Sequence, residues 1–198
     1  MTRRALATVS ALAALAAISL PAHAEDFAAK IKAGKIIAVS IPGSGIYPGR
    51  AMGIVNAPAS TVYQLLADFA RYDKFVPRIT AARKLDDKHY ELKAMFPWPV
   101  KETRCKLSVR KGKRGETYVI QWRQIDGTLK KYEGVAWIQP FGKQRTLLTY
   151  QMLAVPKVFA PSGLMSEGLR NAVKGYIAAV RTHVAKLRHA PGTNVAAR

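Results

Sequence analysis

ELKAMFPWPVKETRCKLSVR, residues 91–110, reads as two strands joined by a loop that carries Pro97, Trp98 and Pro99. Tyr90, Leu92, Ala94 and Phe96 alternate with Glu91, Lys93 and Met95. Beyond the loop, Cys105, Leu107 and Val109 alternate with Arg104, Lys106, Ser108 and Arg110. Alternation with a period of two marks a sheet with two chemically different faces. Folding the segment antiparallel about Val100 and Lys101 sets Leu92 opposite Val109, Ala94 opposite Leu107 and Phe96 opposite Cys105. The same register sets Glu91 opposite Arg110 as an acid–base cross-strand pair. A one-residue slip would lose every match.

The flanking chain supplies more strands and three helical segments. Ile36–Ile41 and Ile46–Asn56 have strand composition, separated by the breaker Pro42-Gly43-Ser44-Gly45. Ala57-Pro58-Ala59-Ser60 opens a short helix to about Ala67, and a second runs from about Phe69 to Phe75 before Pro77. Strands are then expected over Ile79–Lys84, Glu116–Gln124, Thr128–Gln139 and Thr146–Val155, with Asp126-Gly127 as a tight-turn signal. Tyr118, Ile120 and Trp122 share one strand face. The longest helix is expected over Ser162–His189, with Leu169, Val173, Ile177, Val180, Val184 and Leu187 at spacings of three and four. The pattern predicts an α+β fold in which a meandering antiparallel sheet buries one face against that helix.

A strand acid, a proline-bearing loop, an arginine and then S-V-R resemble the central hairpin of the START lipid-transfer domains. The residues concerned are Glu91, Pro97, Pro99, Arg104, Ser108, Val109 and Arg110. The stretch N-A-P-x-x-x-V-Y-x-L-L-A-D-F-x-R-Y-x-x-F-x-P, residues 56–77, is similar to the opening of the helix-grip (SRPBCC) superfamily, with Asp68, Tyr72 and Pro77 read as structural. Polyketide cyclases and coenzyme Q-binding proteins belong to that superfamily too. The resemblance implies a helix-grip fold: a curved antiparallel sheet of about seven strands wrapped around the C-terminal helix, with two short helices after the first long strand. It implies a hydrophobic ligand held in an internal cavity, and no cofactor. It also implies that Glu91 and Arg110 pair inside the ligand tunnel, whereas alternation alone leaves that face, Arg104 included, in solvent. The ligand-binding set expected on this basis is Glu91, Trp98, Arg104, Arg110, Tyr118, Ile120, Trp122, Trp137, Tyr150, Leu169, Val173 and Ile177. For Trp122, Trp137 and Tyr150 an ordinary core role competes, and for Trp98 a cavity gate or lipid-interface anchor competes with a loop aromatic packed on a neighbour.

Composition bounds the rest. Met-Thr-Arg-Arg, an apolar run from Ala5 to Leu20 and Ala22-His23-Ala24 make a secretory signal, residues 1–24, with cleavage expected after Ala24. A START-like domain is expected over 25–189 and a disordered tail over 190–198. The 198-residue chain carries a formal charge of +20, and losing Arg3 and Arg4 with the signal leaves +18. Such a field favours anionic membrane surfaces, and no nucleic-acid recognition motif accompanies it. The expected compartment is the periplasm or the exterior, and the expected state a monomer. The single Cys105 excludes an internal disulfide and reads as a small buried hydrophobe. The histidines are scattered, so no metal site is expected. Enzyme chemistry of the cyclase/aromatase type would draw on Tyr132, Glu133, Gln151 and Arg123, which stand at no diagnostic spacing. A quinone-binding chaperone is the third alternative.

Overall fold

The computed structural model describes residues 21–43, 45–95, 102–159 and 161–189. Its strands are β1 (Ile37–Ser40), β2 (Gly49–Val55), β3 (Ile79–Lys84), β4 (His89–Met95), β5 (Glu102–Arg114), β6 (Thr117–Gly127), β7 (Leu129–Pro140) and β8 (Thr146–Pro156). Its helices are α1 (Pro21–Lys32), α2 (Ala59–Ala67) and α3 (Ser162–His189), with a 3-10 turn at Phe69–Lys74. All eight strands form one antiparallel sheet in the order β1-β2-β8-β7-β6-β5-β4-β3, one strand more than the seven or so expected. Sheet, long terminal helix and paired short helices make the helix-grip arrangement. α1 crosses the expected cleavage point at Ala24. The rest of that signal and the 190–198 tail lie outside the described residues.

α3 packs on β2, β1 and β8, while α2 lies against β6 and β7 and the 3-10 turn against β3 and β4. Its stripe of Leu169, Val173, Tyr176, Ile177, Val180 and Val184 is at most 4% exposed. Leu187, expected in the same stripe, is instead 45% exposed. Two glycines set how close α3 comes to β2. A Cβ at Gly49 would stand 2.6 Å from the Leu169 carbonyl oxygen, and one at Gly53 would stand 3.2 Å from Ile177 Cγ2. Side chains at both positions would hold the helix off the sheet.

The central hairpin forms, but in another register. Glu91 stands opposite Lys106, Leu92 opposite Cys105, Ala94 opposite Thr103 and Met95 opposite Glu102. The pairing is slipped by four residues from the one that matched Glu91 to Arg110. An even slip leaves every side chain on its expected face, so Leu92, Ala94, Cys105, Leu107 and Val109 are all buried. Alternation fixes the parity of a register and not its phase, and in this basic chain an acid meets a cation in many registers. Cys105 is buried, and burial pushes its thiol up to about 12, so it packs as a hydrophobe and is not a poised nucleophile.

Gly49→Ala is expected to destabilise the fold by about 1–3 kcal/mol through overpacking against the backbone of α3. Gly112→Ala, whose Cβ would meet nothing within 4 Å, is expected to cost less than about 1 kcal/mol. Urea denaturation of the two variants checks the contrast, and equal midpoints would disprove the close-approach role of Gly49.

Candidate functional site

The strand registers sort the sheet into two faces. One inner row runs Val109, Trp122, Gly134, Met152, Gly49 across β5, β6, β7, β8 and β2, and ends under α3. The Trp122 indole lies over Gly134, where an added Cβ would stand 2.2 Å from Trp122 Cζ2. From there an aromatic series crosses the interior. Trp122 stacks on Tyr150 at 5.2 Å between ring centroids, and Tyr150 stacks on Tyr176 of α3 at 3.8 Å. Phe69 meets the edge of Trp122 at 6.1 Å, stacks on Tyr72 at 4.4 Å and leans on Tyr90 at 5.3 Å. These six rings are each at most 5% exposed. The space expected to be open between sheet and helix is therefore occupied by side chains. The two concavities described below lie elsewhere.

The polar atoms of this interior are few and ordered. The Tyr176 hydroxyl donates to the Tyr72 hydroxyl at 3.1 Å, which donates to the Leu66 carbonyl at 2.7 Å. Burial holds the hydroxyls of Tyr72, Tyr132, Tyr150 and Tyr176 above the ordinary tyrosine range. They keep their protons at neutral pH and act as donors, not bases. Tyr132 sits near Trp122 and Tyr150, yet the buried Trp122 Nε1 makes no hydrogen bond of ordinary geometry. Among the described residues the buried polar side chains are Thr103, Thr146 and Ser166, with no carboxylate and no histidine.

The opposite face holds the residues that the resemblance would put in a tunnel. Glu91 is outward and accepts from Arg83 Nη2 at 3.1 Å and Arg104 Nη2 at 3.0 Å. Arg110 is exposed, stands opposite Gln121 and does not meet Glu91. Trp137 also faces outward, with the Arg50 guanidinium 5.8 Å above its ring, so it does not line the interior. Arg110, Ser108, Gln121, Arg123, Glu133 and Gln151 border an outer groove of about 310 Å³. Within that face Glu133 accepts from Lys131 at 2.7 Å and Gln151 from Arg50 at 2.6 Å. Of the acid–base candidates, only Tyr132 is on the inner face.

The expected ligand set thus divides. Ile120, Trp122, Tyr150, Leu169, Val173 and Ile177 converge on the interior, and Tyr118 stands at its margin, stacked on Tyr63 at 4.5 Å. Glu91, Arg104, Arg110 and Trp137 are outside it, and Trp98 lies outside the described residues. The pattern missed Phe69, Tyr72, Tyr90 and Tyr176. Tyr176 falls in the i, i+3, i+4 series with Val173, Ile177 and Val180, so the helix stripe could have supplied it. Phe69 and Tyr72 belong to the D-F-x-R-Y motif, whose side-chain direction depends on the 3-10 turn.

A curved sheet gripping a terminal helix around a neutral aromatic interior defines the class of small-molecule-binding helix-grip domains. Residues 55–181, more than half of the chain, match the family described as "Polyketide cyclase / dehydrase and lipid transport", and the chain belongs to that family. No curated protein matches it in sequence. Among solved structures it is similar to the STAR-related lipid transfer protein of Xanthomonas axonopodis at 21% identity and a TM-score of 0.64, over 76% of this chain and 93% of that one. It is similar to the Zhui aromatase/cyclase of Streptomyces sp. R1128 at 16% identity and a TM-score of 0.55, over 80% and 99%. Human StAR-related lipid transfer protein 5 aligns at 12% identity and a TM-score of 0.59, over 84% and 94%. Identities this low establish the shared fold alone.

A double-mutant cycle on Glu91→Gln and Arg104→Gln is expected to give a coupling of about 0.2–1 kcal/mol, as for an exposed pair. The cycle on Glu91→Gln and Arg110→Gln is expected to give none within error. A larger coupling to Arg110 in thermal melts would overturn the register.

Proposed function

We propose that the protein binds and transfers a lipid or a similar hydrophobic molecule between its sheet and α3. The observation that carries this reading is the interior of large aromatic rings, where the buried polar residues among those described are the neutral Thr103, Thr146 and Ser166. Affinity there comes from burial of apolar surface. A guest burying about 300 Å² would gain up to about 7 kcal/mol. Parting the Trp122–Tyr150 and Tyr150–Tyr176 stacks would cost about 1–3 kcal/mol. The burial gain exceeds the stacking lost, and the surplus works against the cost of association. The Trp122 N–H, which lies near Tyr132 without an ordinary hydrogen bond, would then donate to one oxygen of the guest.

Loading and unloading take place at an anionic membrane after export to the periplasm. Support comes from one end of the sheet, where Met95, Ile125, Val158, Phe159 and Leu164 are between 46% and 92% exposed. The Arg104 backbone N–H and the Lys157 ammonium tie that end together, donating to Thr128 Oγ1 and to the Gly127 carbonyl. Apolar tips flanked by cations suit a lipid interface. The cyclase reading needs an interior acid–base pair, and Glu133 and Arg123 stand on the wrong face for it.

Native mass spectrometry of the purified protein is expected to show a non-covalently bound lipid. Trp122→Phe is expected to lower retention of a lipid with a buried hydroxyl or carbonyl by about tenfold. Arg110→Leu is expected to leave retention within twofold. Absence of any bound lipid, together with failure to take lipid up from vesicles, would refute the carrier reading.

A further inference from the structure

A second concavity, of about 540 Å³, opens at the far end of α3. It lies between the end of α1 (Lys32, Gly34), the end of β2 (Ile54, Asn56), Arg145 before β8, and Arg181, Thr182 and Arg188 of α3. Four cations line it and no carboxylate does. None of Lys32, Arg145, Arg181 and Arg188 forms an ion pair among the described residues, although other lysines and arginines do. From Leu164 to Arg188 the helix rises about 36 Å, so this basin stands well apart from the apolar tip.

The basin is built, not merely charged. Arg181 Nε donates to the Ile54 carbonyl at 2.7 Å and its Nη1 to the Gly34 carbonyl at 2.8 Å. Its Nη2, 2.9 Å from where a Gly53 Cβ would be, is buried without an acceptor. Burial lowers the Arg181 pKa by desolvating its charge. Arg188 Nη1 donates to the Asn56 carbonyl at 3.1 Å, and Arg145 lies over the Phe141 ring at 5.1 Å. Two guanidinium groups are thus anchored by backbone carbonyls, whose lone pairs compensate hydrogen bonds but not charge. A group bringing several oxygens and negative charge would complete the set, because forked guanidinium donors match phosphate oxygens.

We propose that this basin is a binding site for a phosphate-bearing group, separate from the hydrophobic interior. It goes beyond the carrier reading, since it depends on neither the aromatic rings nor a bound lipid. The shared chemistry is the phosphate, borne by a lipid headgroup or by a soluble phosphate. Expected cleavage after Ala24 leaves Lys32 and Gly34 in place.

The test compares the purified chain with two double variants of equal charge change. Lys32→Gln with Arg145→Gln removes two basin cations and leaves the carbonyl-anchored Arg181 and Arg188 intact. Lys106→Gln with Arg114→Gln removes two exposed cations elsewhere. Calorimetric titration uses inorganic phosphate, and sedimentation uses phosphatidylcholine vesicles with and without phosphatidic acid. The basin pair is expected to weaken binding about tenfold and the control pair less than about twofold. That selectivity with inorganic phosphate identifies a soluble phosphate, and with phosphatidic acid vesicles alone a lipid headgroup. Equal losses in both double variants, or no binding of either probe by the unaltered chain, overturn the site. Neither result depends on whether the interior carries lipid.

Discussion

The close approach of α3 to β2 is the constraint from which the remaining structure follows. An amphipathic helix with a continuous apolar stripe has to bury it, and a strand presenting Cβ atoms at every inner position would keep the helix at ordinary distance. Gly49 and Gly53 remove two of those atoms directly under Leu169, Ile177 and Arg181. The helix sinks onto one side of the sheet and covers β1, β2 and β8. The other side, β3 to β7, is then too far from α3 for aliphatic side chains to bridge. Aromatic rings from both elements and from the 3-10 turn span it. These rings stack on one another among aliphatic side chains such as Leu66, Leu107, Ile120 and Leu148.

Much of this was legible in the chain, and what was not has physical reasons. Strand faces could be read because alternation reports side-chain direction directly: Leu92, Cys105, Leu107, Val109, Ile120 and Trp122 are all where the period of two puts them. α3 was legible from Ser162 to His189 because its stripe is long and Pro161 and Pro191 bracket it. Register was not legible, since it depends on how a Pro-Trp-Pro connection closes, and charge matching is undiscriminating where cations outnumber acids. Trp137 shows the same limit from another side. Its ring is apolar enough to suggest the core, yet its odd position on β7 faces it outward, where the Arg50 cation supplies a partner. Tyr72 and Phe69 point inward only because the chain turns in a 3-10 helix, a property of the hydrogen-bonding pattern and not of hydrophobic periodicity.

The distribution of polarity also bears on what the fold can do. Among the described residues charge is kept to exposed and half-buried positions, and the interior retains protonated tyrosines. Acid–base catalysis at neutral pH needs a group that exchanges protons near that pH. A phenol driven above its ordinary range by burial is a poorer base precursor than one in water, so the interior tyrosines are hydrogen-bond donors. In the same way a guanidinium fixed by two carbonyls cannot be neutralised by deprotonation. Arg181 keeps its charge at the edge of the basin whatever the surroundings, and only an external anion can offset it.

The two ends of α3 therefore differ in kind. At its start, exposed apolar residues have no polar obligation and gain from leaving water. At its end, cations with their carbonyl bonds already made gain from meeting oxygen-rich anions. A single flat membrane touching one end leaves the other free, because the helix between them is far longer than the headgroup layer is deep. One domain can then meet a bilayer through its apolar tip while its basic end stays open to a second phosphate-bearing partner.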